Sequence, residues 1–194
     1  MKRMYNKNVA KIFIISLILI GVIFGLLYFN LQSDLNKSVI LSKMDSLSTV
    51  ISKQHQNLIF THLITIIILV FLAYSIIGVP LVFFYLFYES TSIGFLVASF
   101  HSAFKVKGLL FSLIYIVVCK LIYLLFLVYL SYISLKISKK MLKTLILKEN
   151  ESLYHHLKNM FLKVVISIII VISYDLFLYF LANPILNLFS FLIK

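Results

Sequence analysis

The sequence predicts an all-α fold, a polytopic integral membrane bundle of five transmembrane helices with a tight hairpin between the second and third. Three observations predict it. Of 194 residues, 62% are hydrophobic and only 12% are charged, with a mean hydropathy of +1.09. A soluble domain is about half apolar and about one-quarter charged, and a water-soluble fold of this length has too little interior to hide such a surplus. That excludes a soluble enzyme, a disordered chain and a disulfide scaffold, since Cys119 is the single cysteine. Second, the apolar residues come in continuous runs of about 20, enough at about 1.5 Å per residue to cross about 30 Å of hydrocarbon. They do not alternate as the strands of a membrane β-barrel would. Third, the 18 Lys and Arg lie mostly between those runs. The net charge of +12 therefore points to membrane orientation and anionic headgroups, and away from nucleic acid.

The elements follow in order. Lys2, Arg3, Lys7 and Lys11 precede Ile12–Phe29, a run broken only by Ser16 and two glycines. The run exceeds the roughly 7–15 residues of a signal-peptide core and no small-x-small site follows, so it reads as an uncleaved first span. Residues 30–57 are polar, with Leu35, Val39 or Ile40, Met44, Leu47 and Ile51 at helical spacing. They read as a surface-lying or partner-binding segment, or as a helix packed on the spans. The second span is Leu58–Ile77. Gly78-Val79-Pro80 breaks it, so Gly78 and Pro80 mark a connection short enough to force an antiparallel hairpin. The third span covers about 79–103, with a polar notch at Glu89-Ser90-Thr91-Ser92. Lys105-Val106-Lys107-Gly108 is a short basic turn, and the fourth span runs over about 109–133. The connector 134–160 carries lysines and an apolar stripe, as expected of an interfacial helix or helix pair. The fifth span is about 161–182, followed by Asn183-Pro184 and an apolar tail. The whole chain, 1–194, reads as one membrane domain without internal repeats.

Orientation follows from the cations. With a cytoplasmic N-terminus, the inner segments, counted through Lys163 at the entry to the fifth span, hold eleven Lys and Arg and the outer ones six, while Lys120 lies inside a span. That bias places the N-terminus in the cytoplasm, the C-terminus outside, and residues 30–57 on the extracytoplasmic side.

Three charges fall within spans: Glu89, Lys120 and Asp175. Each costs about 2.5–3.5 kcal/mol to insert and is expected to face the protein interior. Counting about 1.5 Å per residue from the cytoplasmic face, Glu89 is about 15 Å deep, Lys120 about 12 Å and Asp175 about 21 Å. Glu89 and Lys120 are thus nearly level, and a Glu89–Lys120 or Lys120–Asp175 pair is expected. The functional reading of these charges is a proton or ion path. The preferred reading is an interhelical clasp, because helix association in lipid relies on such polar contacts. Gly21 and Gly25 form a GxxxG that admits another helix or a second copy of the chain, giving a homo-oligomer. Ser90, Ser92 and Gly94 give span three a small-residue face. There is no HExxH, paired CxxC, Walker loop or GxSxG. His155 and His156 are adjacent, which points them about 100° apart on a helix. The sequence therefore assigns no catalytic residue, no metal site and no cofactor.

Residue order goes further. Gly21-Val22-Ile23-Phe24-Gly25 followed by a polar segment, Ser75-Ile76-Ile77-Gly78-Val79-Pro80-Leu81, Ser92-Ile93-Gly94-Phe95, Lys107-Gly108-Leu109-Leu110 and Ser134-Leu135-Lys136-Ile137 occur in this order, with Asp175 and Pro184 near the end. Together they resemble the stage II sporulation protein M family over nearly the whole chain. The sequence departs from the family in span four, where a helix break such as Pro-Gln-Asn or Pro-His-Gly is replaced by Val118-Cys119-Lys120, and in span three, where Ser90 stands for a glycine. A continuous span-four helix with a buried lysine is the expected consequence.

The resemblance implies a non-enzymatic membrane scaffold in the engulfment machinery of spore-forming bacteria. Its partners would be the lipid bilayer and cell-wall hydrolases like stage II sporulation proteins D and P, and its place the sporulation septum. The competing reading is a small transporter or an integral subunit of one, since broken spans and midplane charges are features that transporters use.

Overall fold

The computed structural model describes residues 2–45, 63–75, 77–147 and 153–188. Every element in it is helical: α1 Lys2–Asn30, α2 Asp34–Asp45, α3 Leu63–Ala73, α4 Gly78–Tyr115, a π turn Ile116–Lys120, α5 Leu121–Leu147 and α6 Leu153–Leu188. Among the described residues, three helical stretches are long and apolar enough to cross a membrane: Asn8–Asn30, Gly78–Leu142 and Phe161–Leu178.

The middle stretch is 65 residues long. Drawn straight it would extend about 100 Å, three times the hydrocarbon thickness. It does not run straight. Lys105 takes φ 55° and ψ −132° inside it, and the chain folds back on itself there. Phe100 and Phe111 meet across the fold with ring centroids 5.2 Å apart. Gly108 is required at this point, because a Cβ there would run into the Phe100 carbonyl. The basic turn read at 105–108 is therefore the tip of a helical hairpin, with first leg 78–104 and second leg 106–147.

α1 lies along the first leg in the same direction. Phe13 meets Phe83 at 5.3 Å, Phe24 meets Phe87 at 5.8 Å and Phe29 meets Phe95 at 5.4 Å. α6 begins beside the end of α3, where Tyr74 and Phe161 pack edge to face at 6.0 Å. The core gathers one face of each of five helices: Ile14 of α1, Leu69 of α3, Leu86 of α4, Leu127 of α5 and Val171 of α6. The opposite faces point outward, with Leu19, Ile23, Val117, Leu125 and Ile169 all about half exposed or more. This inversion of the soluble pattern is what a lipid solvent demands.

Several boundaries differ from the sequence reading. Within 134–160 the described residues continue the two flanking helices, and 148–152 lie outside the described residues. α5 continues unbroken to Leu147 and α6 starts at Leu153. No glycine or proline occurs between Gly108 and Pro184, and the intervening Leu and Lys are good helix formers, so nothing stops either helix at the membrane edge. Pro184 lies inside α6, which runs on to Leu188. The second-span segment contributes the short apolar helix Leu63–Ala73, and residues 58–62 and 76 fall outside the described residues. Of segment 30–57, α2 covers Asp34–Asp45, and 46–57 lie outside the described residues. The span-four helix runs on through Val118-Cys119-Lys120, widened there by the π turn Ile116–Lys120.

Candidate functional site: a polar cluster inside the bundle

The two legs of the hairpin place polar side chains opposite each other. On the first leg Tyr85 and Glu89 are four residues apart and share one face. On the second leg Lys120 and Tyr123 are three apart and share the facing one. Because the legs are antiparallel, Tyr85 meets Tyr123 and Glu89 meets Lys120. The Lys120 ammonium lies 3.1 Å from Glu89 Oε2 and donates to it. The Tyr85 hydroxyl donates to Glu89 Oε1 at 3.2 Å, and the Tyr123 hydroxyl donates to that of Tyr85 at 3.2 Å. Both Glu89 oxygens thus have donors.

The side chain of Glu89 is 8% exposed and that of Lys120 20%, so the lysine reaches the cluster from a less enclosed position. Asp175 of α6 is buried and within electrostatic reach of Tyr123. Of the three intramembrane charges, Glu89 and Lys120 form the ion pair, while Asp175 approaches the tyrosine end of the cluster. A carboxylate with both oxygens occupied and a neutralising ammonium form a low-energy way to hold charge in an apolar interior.

α6 makes a second polar contact with this region. The Tyr174 hydroxyl donates to the backbone carbonyl of Val118, inside the π turn. A π turn widens the local ladder, with the Leu121 N–H reaching the Ile116 carbonyl five residues back. Tyr174 adds a donor from α6 at the Val118 carbonyl. Tyr85, Tyr123 and Tyr174 do not stand out in the sequence, where twelve tyrosines read as span filling. The usable signal is their spacing to charges: Tyr85 four before Glu89, Tyr123 three after Lys120, and Tyr174 next to Asp175.

The predicted packing glycines are placed as follows. A Cβ on Gly25 would collide with the Thr91 carbonyl, and one on Gly94 with the Val22 carbonyl. A Cβ on Gly21 would come 2.7 Å from that of Ser90. The GxxxG of α1 is therefore filled by α4 of the same chain. Ser90, Thr91 and Ser99 turn their hydroxyls back onto carbonyls four residues earlier, which removes them as unpaired donors along α4. Gly78 packs against the Leu72 carbonyl, where a Cβ would not fit, and Pro80 sits in the first turn of α4, where no backbone donor is needed. Cys119 is buried. Among the described residues no group of His, Cys, Asp and Glu could hold a metal ion.

These features define an integral membrane protein, a bundle of apolar helices with lipid-facing outer surfaces and a charged pair inside. The family model for Stage II sporulation protein M matches residues 14–182, and the chain belongs to that family. It is accordingly a sporulation-related membrane protein. The matched region holds the collinear motifs as far as Asp175 and the whole polar cluster, and Pro184 lies just beyond it. No curated protein and no solved structure matches the chain.

Proposed function

We propose that the chain is a non-enzymatic membrane scaffold of a sporulation and engulfment complex, and that it organises peptidoglycan-remodelling partners. The observation that carries this reading is the family match over residues 14–182. In this reading the bundle crosses the membrane five times, with the N-terminus cytoplasmic. Helix directions support that count. α1 and the first leg of the hairpin are parallel, which requires one crossing between them, and the α3 segment is the chain available for it. The hairpin tip at Lys105 and the segment that includes α2 then lie on the outer side, where cell-wall partners are. The contact surfaces would be residues 30–57, the 104–108 turn and the lipid-exposed helix faces. Since α4 fills the Gly21/Gly25 face, self-association would use other surfaces.

In the same reading Glu89, Lys120 and Asp175 clasp the helices and do not conduct. A fluorescent fusion followed through division and sporulation tests the function. Enrichment at the sporulation septum is expected, and uniform membrane staining at every stage would sink the engulfment role. Removal of Ser33–Gln56 is expected to disperse the hydrolase partners, and normal partner localisation in that variant would refute the contact assigned to the outer segment.

A further inference from the structure

The second leg of the hairpin repeats every four residues where an α-helix should not. A buried stripe runs through Phe111, Tyr115, Cys119, Tyr123 and Leu127, all buried except the half-buried Tyr115, whose ring packs on Phe100, and it is flanked by the buried Ser112 and Phe126. The outward side of the leg is Leu109, Leu113, Val117, Leu121 and Leu125, all exposed. At about 100° per residue, four steps of four drift about 160°, which would carry each stripe from one side of a straight helix nearly to the other. Both stripes nevertheless stay on their own sides. The π turn Ile116–Lys120 lies in the middle of the drift and absorbs one residue, turning the chain back by about 100°.

We infer that the π turn is a register device held in its wide form by Tyr174, so that α6 decides whether the second leg presents Lys120 and Tyr123 to the first. The wide turn is held by the hydroxyl of Tyr174 on the Val118 carbonyl, a contact made from another helix. Without that donor the turn gains by closing to α geometry, which restores the regular ladder. Closing it rotates everything beyond residue 120 by about 100° relative to Phe111 and Tyr115. Lys120 then leaves Glu89, Tyr123 leaves Tyr85, and Leu124 takes over the outward position of Leu125. The two arrangements differ by one residue of register, a discrete alternative of the kind that switching helices use. The device rests on contacts within the bundle and does not depend on the scaffold reading.

The test uses the full chain in vesicles, with Cys119→Ala and a nitroxide attached at position 124 or 125. In the parent, oxygen-collision accessibility is expected to be higher at 125 than at 124. Tyr174→Phe is expected to reduce that contrast by about twofold or to reverse it, as the closed form becomes populated. Deleting Val117 removes the extra residue, so a plain α-helix then keeps both stripes in place, and in that background Tyr174→Phe is expected to leave the contrast unchanged. An unchanged contrast in the single Tyr174→Phe variant overturns the inference. So does an equal loss with and without Val117. The single variant decides the matter by itself where the deletion does not accumulate.

Discussion

The Lys120 ammonium lies 3.1 Å from the Glu89 carboxylate across two antiparallel legs of one helical hairpin, 31 residues apart in the chain. The Glu89 side chain is buried and that of Lys120 is 20% exposed. Breaking a buried pair by removing one partner typically costs about 3–5 kcal/mol, because the other charge is left uncompensated. Lys120→Met or Glu89→Gln alone should therefore reduce accumulation in the membrane several-fold. The double variant should recover a good part of it. Immunoblots of membrane fractions measure all three, and unchanged accumulation in Lys120→Met counts against the clasp.

The glycines of α1 and α4 should rank by what a methyl group would meet. Gly25→Ala and Gly94→Ala push a Cβ into a backbone carbonyl, which cannot rotate away. Gly21→Ala meets the Ser90 Cβ at 2.7 Å and the Phe87 carbonyl at 3.0 Å, smaller overlaps than those at the other two. Overpacking costs about 1–3 kcal/mol, so the first two should lower the unfolding midpoint in mixed detergent clearly more than the third. An inverted order would show that α1 and α4 do not meet through these positions.

At the hairpin tip, Lys105 holds a backbone conformation that favours glycine. Such strain costs about 1–3 kcal/mol, whereas the extra chain entropy of glycine costs about 0.5–1 kcal/mol. Lys105→Gly should raise the same detergent midpoint slightly, and Lys105→Val should lower it. If Lys105→Gly is the more destabilising of the two, the tip is not built around this residue.

The orientation is tested by cysteines introduced singly in the Cys119→Ala background. A membrane-impermeant maleimide should label position 107 from outside in intact cells. Position 139 should be labelled only after permeabilisation. Labelling of both from the same side would refute the proposed crossing of the second leg.

Composition and the continuity of the apolar runs already determine that this chain is helical and made for lipid, because hydropathy is summed along the chain and needs no knowledge of folding. The turn at 105–108 is equally local, since Lys-Val-Lys-Gly interrupts an apolar run with charge and a residue without a Cβ. The small-residue faces at Gly21, Gly25 and Gly94 are visible too, but not what fills them. Only the tertiary structure pairs Gly25 with Thr91 and Gly94 with Val22, which exist as contacts because two helices approach at backbone distance. It likewise chooses Glu89 for Lys120 and brings Asp175 toward Tyr123. Depth alone leaves both carboxylates in reach of a long lysine. The azimuth of each helix decides between them, and that azimuth depends on one residue absorbed in the π turn.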